Sequence, residues 1–373
     1  MPKHEQETLS VNGSGVAFAP DPLPLALSLE APPLPDEPLQ RPGIAAQAGS
    51  LIVIVVPFLG LIAAVILLWH APFSWLNLPL FFGGYAITTI GVTVGYHRLF
   101  THKSFKAKPA VAATLGVLGS MAIEGSILEW VATHRRHHQH TDRENDPHSP
   151  YTHGEGFVGM LRGMVHSHFG WFFSKRPSPE VMAKYVPDLM ADPVVSFVSR
   201  WFVPLAIIGQ LVPAAIGFAV TQSWMGALMA WIWGGLLRVF FVHHVTWSVN
   251  SVCHLWGSRP FRTHDESRNN FIMGILAFGE GWHNTHHAFP ASARHGLSWR
   301  ELDFSYWVIR LLAWTGLVWD VKVPAADRIE SKRRHAGIPA KFGRRSSHSD
   351  RNAPPSATVA TVETKPPAAV HGQ

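Results

Sequence analysis

The chain has 373 residues, of which 47% are hydrophobic and only 15% charged, and its formal net charge is +6. Soluble domains carry about a quarter charged residues; here residues 42–97 hold no Asp, Glu, Lys or Arg and residues 201–258 hold Arg238 alone, so both stretches suit hydrocarbon. The single cysteine, Cys253, excludes an intrachain disulfide, a thiolate iron–sulfur cluster and a Cys-rich zinc site, and the basic residues flank apolar stretches without any nucleic-acid module.

Residues 1–45 are proline-rich without apolar periodicity and read as a disordered tail. They lack the basic-then-apolar pattern of a cleaved signal peptide, so the first span is expected to direct insertion. That span is residues 50–69, and the breaker-containing HAPFSWLN separates it from a second at 78–96. Each has about 20 residues, enough for a hydrocarbon core about 30 Å thick. Residues 109–128 are also apolar but contain Glu124 and end at Glu129. A fifth span there would put the flanking histidine clusters on opposite sides of the membrane, so a re-entrant or interface-lying helix is expected. Residues 201–220 and 224–243 form the third and fourth spans, joined by TQS. Residues 301–320 have an apolar face broken by Arg310 and read as a surface helix. Residues 331–373 are again polar and proline-rich, a second disordered tail.

The fold expected is therefore an all-α integral membrane domain over residues 46–330, with four transmembrane helices in two hairpins under a helical cap. The hairpin tips carry no charge. Arg98, Lys103, Lys106 and Lys108 follow the second span and Arg259, Arg262 and Arg268 the fourth, so the positive-inside rule puts cap and both termini in the cytosol.

Twenty-three histidines need a chemical reason. GYHRLFTH gives His97 and His102, EWVATHRRHHQH gives His134, His137 and His138, WSVNSVCH gives Asn250 and His254, and GEGWHNTHH gives His283, His286 and His287. In H-x-x-H-H the imidazoles stand at i, i+3 and i+4 on one helix face, and Asn250 and His254 share a face at i, i+4. His97 and His102 at i, i+5 are about 140° apart on an ideal helix. The helix is therefore expected to end or unwind between them. Taken singly, each cluster has a plainer reading as span-capping histidines, a solvated basic loop, or, for Asn250, helix packing. All four fall on one side of the deduced topology, which the plainer readings do not explain. Nine imidazoles and one amide suit iron, zinc, copper or nickel, and one metal would be overfilled. The apolar surroundings favour a redox metal, since cleaving an unactivated C–H bond needs an oxidant such as iron with oxygen.

At these residues the chain resembles the acyl-CoA delta-9 desaturase family, of the stearoyl-CoA type, through HRLFTH, EWVATHRRHHQHTDRENDPH, WSVNSVCH and GEGWHNTHHAFP in that order across residues 75–325. The resemblance implies a di-iron centre held by His97, His102, His134, His137, His138, His254, His283, His286 and His287, with Asn250 as a water-mediated partner. It also implies a kinked hydrophobic tunnel for the acyl chain, for which Tyr85, Thr89 and Trp130 are the candidate wall residues. Glu280, Asp142 and Asp146 are candidate carboxylates to orient the imidazoles, or else neutralise Arg135 and Arg136. His243 reads as a satisfied interior histidine, or as a supporting residue on the stripe of Asn250; His244 has no assigned role.

The function expected is oxygen-dependent introduction of a cis double bond, at the delta-9 position, into a saturated acyl chain carried by coenzyme A or a lipid. The co-substrate is O2. Electrons come from a separate donor, cytochrome b5-like, ferredoxin-like or a reductase, because no haem or ferredoxin module is visible. A lipid hydroxylase with the same metal pair is one alternative, and a membrane metal transporter or sensor is another.

Overall fold

The computed structural model describes residues 39–70 and 74–333. The tails expected at 1–45 and 331–373 lie outside the described residues, except for 39–45 and 331–333. Within the first of these, Gln40 exchanges two backbone hydrogen bonds of 2.9 Å with Arg176, and helix α1 begins at Ile44.

In chain order the helices are α1 (Ile44–His70), α2 (Asn77–Thr101), α3 (Pro109–Ser120), α4 (Ile127–His140), α5 (Gly156–His168), α6 (Pro193–Arg200), α7 (Phe202–Thr221), α8 (Trp224–Leu255), α9 (Phe271–Leu276), α10 (His283–Ala288), α11 (Phe304–Trp314) and α12 (Ala326–Lys332), with a few shorter turns between. Two-residue strands β1 (Lys106–Ala107) and β2 (Val318–Trp319) pair antiparallel. Among the described residues, α1, α2, α7 and α8 are the helices long and apolar enough to cross a membrane. Helices α1 and α7 turn large apolar side chains outward, among them Leu51, Phe58, Val203 and Leu211. A water-facing surface rarely carries such continuous apolar area.

Three expectations change in detail. The fourth span runs 32 residues, to Leu255. At 1.5 Å per residue that is about 48 Å, well beyond the hydrocarbon thickness. Loss of hydrophobicity ends a span but not a helix, whose hydrogen bonds are internal. Residues 109–128 are not one element: α3 has 12 residues and is too short to cross, and a turn at 121–126 leads into α4. Ser126 starts α4 with a capping box, accepting from the Glu129 N–H while the Glu129 carboxylate accepts from Ser126. Residues 301–320 likewise divide into α11 and β2.

Helix α8 lies at the centre, packed by α1, α2, α5 and α7. The lone cation of its span, Arg238, is buried and satisfied: its guanidinium donates to the carbonyls of Gly234 (2.8 Å) and Met121 (2.9 Å). Helix α2 packs on α3 through glycine, because a Cβ at Gly91 would collide with the backbone of Leu118 and Gly119.

Candidate metal centre and cavity

The lower part of α2, Gly91–Thr101, is wound as a π-helix, with i→i+5 hydrogen bonds. This replaces the expected end or unwinding. In such a helix residues five apart are the hydrogen-bonded pair, so His102 donates its N–H to His97 O at 3.2 Å and the two rings lie 4.8 Å apart.

The nine predicted imidazoles fall into two sets. His97, His102, His134, His138 and His286 form one, and His137, His254, His283 and His287 the other; within each set the nearest nitrogens all lie within 4.8 Å of one another. Both H-x-x-H-H motifs split the same way. The i, i+4 pairs His134/His138 and His283/His287 stay together, while His137 and His286 cross to the opposite set. Adjacent histidines point about 100° apart on a helix, so α4 and α10 each serve both sets. Asn250, one turn before His254, lies on the wall of the neighbouring cavity, which His283 also lines.

The donor chemistry favours a cation in each set. His97 Nδ1 meets Glu280 Oε2 at 2.6 Å, His137 Nδ1 meets Asp146 Oδ1 at 3.0 Å, and His254 and His287 Nδ1 meet Asp142 and Asp265 at 2.9 Å each. A carboxylate there fixes the N–H on Nδ1 and leaves a lone pair on Nε2. Yet His254 Nε2 and His287 Nε2 both face His283 Nε2, at 3.0 and 3.1 Å, and His283 has at most one proton to offer. In the other set the Nε2 atoms of His97, His286, His138 and His134 form a chain with steps of 3.1, 2.9 and 3.0 Å. The Nε2 atoms of His102 and His137 are buried without a hydrogen-bond partner among the described residues. Burial, then the neighbouring imidazoles, holds His102, His134, His138, His283 and His286 well below the ordinary histidine pKa, so the rings are neutral. Lone pairs facing at such distances repel unless a cation lies between them. Imidazoles at right angles around a metal about 2.1 Å away have nitrogens about 3.0 Å apart, which is the spacing seen.

Two of the supporting carboxylates, Glu280 and Asp265, are held in the anionic form. Burial opposes ionisation of Glu280, but His97, Arg98 and His295 around it win and hold it well below the usual carboxylate range. Asp265 is likewise depressed, against the cost of burial, by His287 and Ser267. Asp142 and Asp146 are engaged with His254 and His137 rather than with Arg135, which pairs with Asp188 at 2.7 Å. Asp265 and His295 had no signal in the sequence, because neither stands at helical spacing from a histidine motif. His295 Nδ1 is 3.2 Å from Glu280.

A cavity of about 670 Å³ runs beside the imidazoles. His97, His134 and His283 reach its wall, as do Thr89, Val92, Trp130, Val242 and Val245. Trp130 stacks on His134 with ring centroids 5.0 Å apart, tying wall to site. Tyr85 is not on the wall: its hydroxyl donates to Leu276 O at 2.6 Å and its ring meets Phe278 edge-on. His243 touches none of the nine. Its Nε2 lies 2.9 Å from Ala122 O and 3.1 Å from Ile123 O, while His244 Nδ1 meets His168 Nε2 at 3.0 Å.

Four long apolar helices with two polyhistidine sets at the ends of two of them define a membrane protein of the histidine-rich oxidoreductase class. The family model described as fatty acid desaturase matches residues 73–320, and the chain belongs to that family. It is 42% identical over 282 residues to the hex-5-enoyl-[acyl-carrier protein] acetylenase of Moorena producens (strain JHB), covering 75% of this chain and 87% of that protein. It is 37% identical to the sn-1 stearoyl-lipid 9-desaturase of Anabaena variabilis (71% and 92% covered) and 36% identical to the acyl-CoA C20 Delta5-desaturase of Anemone leveillei (72% and 81% covered). The chain is thus an oxidoreductase of the fatty acid desaturase family.

Proposed function

We propose that the chain introduces a cis double bond at the delta-9 position of a saturated fatty acyl chain, using O2 and two iron ions, one held by each imidazole set, with Asn250 joined to the second through water. The observation that carries this reading is the division of nine imidazoles into five and four directly against an apolar cavity. Bound iron would supply the oxidising power, drawn from O2 and external electrons, that C–H cleavage requires. The chain's own residues do the rest. Glu280, Asp146, Asp142 and Asp265 orient the rings, and the apolar wall excludes water and aligns the chain. Methylenes differ little in chemistry, so the position of the bond follows from positioning, with Trp130 and Thr89 as wall residues and Tyr85 packed behind.

The name of the Anabaena relative supports delta-9, whereas the other two name a different position or product. The three names also span carrier protein, lipid and coenzyme A. Among the residues that line the cavity, Arg136, Lys175 and Arg176 offer positive charge suited to a phosphate-bearing carrier or headgroup. Two helical hairpins, with site and termini in the cytosol, follow from the charge distribution. A separate donor, cytochrome b5-like, ferredoxin-like or a reductase, supplies electrons.

Expression in a desaturase-deficient host, with mass-spectrometric location of new double bonds, tests the proposal. A delta-9 alkene that vanishes in His286→Ala is expected. Hydroxylated lipid without alkene, or no oxygen-dependent change in lipid from iron-loaded protein, overturns it.

A further inference from the structure

The cavity wall contains a carboxyl group that hydrocarbon binding does not explain. Glu124 lies in the turn between α3 and α4, and its Oε2 accepts the Trp130 indole N–H at 3.1 Å. The hydroxyl of Thr246, on the same wall from α8, approaches the carboxyl, but among the described residues Oε1 itself is buried without a hydrogen-bond partner and no cation pairs with the group. The turn is aimed deliberately. Ile123 has φ +64°, which a β-branched residue adopts only when its surroundings force it. Here His243 donates toward the carbonyls of Ala122 and Ile123, and Arg238 donates to that of Met121 at 2.9 Å.

The titratable groups around Glu124 are otherwise engaged. From α2, Tyr85 donates to Leu276 O and Tyr96 bonds Ser120; from α4, Glu129 caps its own helix and His134 belongs to an imidazole set. From α8, Arg238 and His243 are committed to backbone carbonyls, and Glu280 beyond them is held by His97 and Arg98. Burial pushes the Glu124 carboxyl up to about 7, with the approach of Thr246 and the hydrogen bond from Trp130 pulling the other way.

We propose that filling the cavity with an acyl chain takes up one proton at Glu124, so that the neutral acid, hydrogen-bonded between Trp130 and Thr246, is the acyl-binding form. Hydrocarbon displaces the water that solvates a carboxylate and can replace none of its hydrogen bonds, so a chain binds better beside the neutral acid. The acid O–H donates to the Thr246 hydroxyl, its other oxygen still accepts from Trp130, and the proton comes from solvent. Glu124 is thus a positioning residue whose charge state sets acyl affinity.

This inference rests on the reading of the cavity as the acyl site. The test uses full-length protein in lipid nanodiscs under nitrogen and the uncharged probe methyl 9,10-dibromostearate, whose bromines quench tryptophans such as Trp130. Wild-type affinity is expected to be about tenfold weaker at pH 8 than at pH 6, by linkage to a group titrating near 7. A pH indicator in weak buffer should register close to one proton taken up per chain bound at pH 8. Glu124→Gln keeps the shape, can accept from Trp130 and donate to Thr246 as the neutral acid would, and should bind equally at both pH values without proton uptake. Binding without proton uptake in the wild type, or a pH profile unchanged in Glu124→Gln, overturns the inference while leaving the cavity an acyl site. No binding at any pH overturns the acyl-site reading and this inference with it.

Discussion

At the scale of single residues, the imidazoles are held by carboxylates as much as by their helices. Asp265 shows this best, since its two oxygens reach His287 Nδ1 at 2.9 Å and the Ser267 N–H at 3.0 Å, which fixes the direction of the ring. Removing such a partner typically costs 10–100-fold in metal affinity. Asp265→Ala should therefore lose iron to a chelator at concentrations about 10–100-fold lower than wild type does, measured as iron per chain after dialysis. The wall of the cavity can be probed in the same way. Thr89 is buried on it, so Thr89→Phe should shift the products toward shorter chains, read by gas chromatography of total fatty acids from an expressing host. Products of unchanged length would remove Thr89 from the chain-limiting wall. The ligand candidates were legible in the sequence because helical spacing turns residue number into direction. Asp265 and His295 were not, since they come from irregular segments where number says nothing about direction.

At the scale of elements, the i→i+5 winding of α2 is what lets His97 and His102 share a set, and the same segment packs closely on α3 at Gly91. The sequence showed that an ideal α-helix could not present both rings to one point, but not how the conflict would be resolved. A widened helix keeps every backbone group bonded where an unwound one would not, and the apolar surroundings penalise unbonded groups. Gly91→Ala would drive a methyl into the backbone at Gly119. It should lower stability by about 1–3 kcal/mol, the usual cost of overpacking, and weaken iron binding, both measured in detergent by thermal unfolding and metal content. A second tie joins the end of α2 to α4 through Asp188, which pairs with Lys103 and Arg135 at 2.7 Å each. Burial works against ionisation of Asp188, but hydrogen bonds from Arg135 and Lys103 prevail and lower it to about 2, from 3.8. A depressed carboxyl stabilises the fold above its unfolded pKa and loses that contribution as pH falls through the folded value. Asp188→Asn should thus be less stable than wild type by about 1–3 kcal/mol at neutral pH, a gap that closes between pH 4 and pH 2 in denaturation curves.

At the scale of the whole molecule, the four apolar helices and the clustering of histidines near the ends of α2 and α8 require only that those two ends lie together, and α2 packs along α8. Which side of the membrane that end faces is a separate question. It was read from charge alone: the turn at Gln222 carries none, whereas Arg259, Arg262 and Arg268 follow α8. The chain offers a clean way to settle it, because its one cysteine, Cys253, is buried and should be unreactive in the folded protein. A cysteine introduced at an exposed position becomes the sole accessible thiol. Gln222 lies at the α7–α8 turn with φ +50°, and it and Ser331, near the far end of the described chain, are both exposed. With the cap in the cytosol, Gln222→Cys should react with a membrane-impermeant maleimide in intact cells and Ser331→Cys only after permeabilisation. The reverse pattern would put the imidazoles outside, where no cytosolic electron donor reaches them. Equal labelling of both in intact cells would mean that the two positions share one face, and that α8, despite its 32 residues, does not cross.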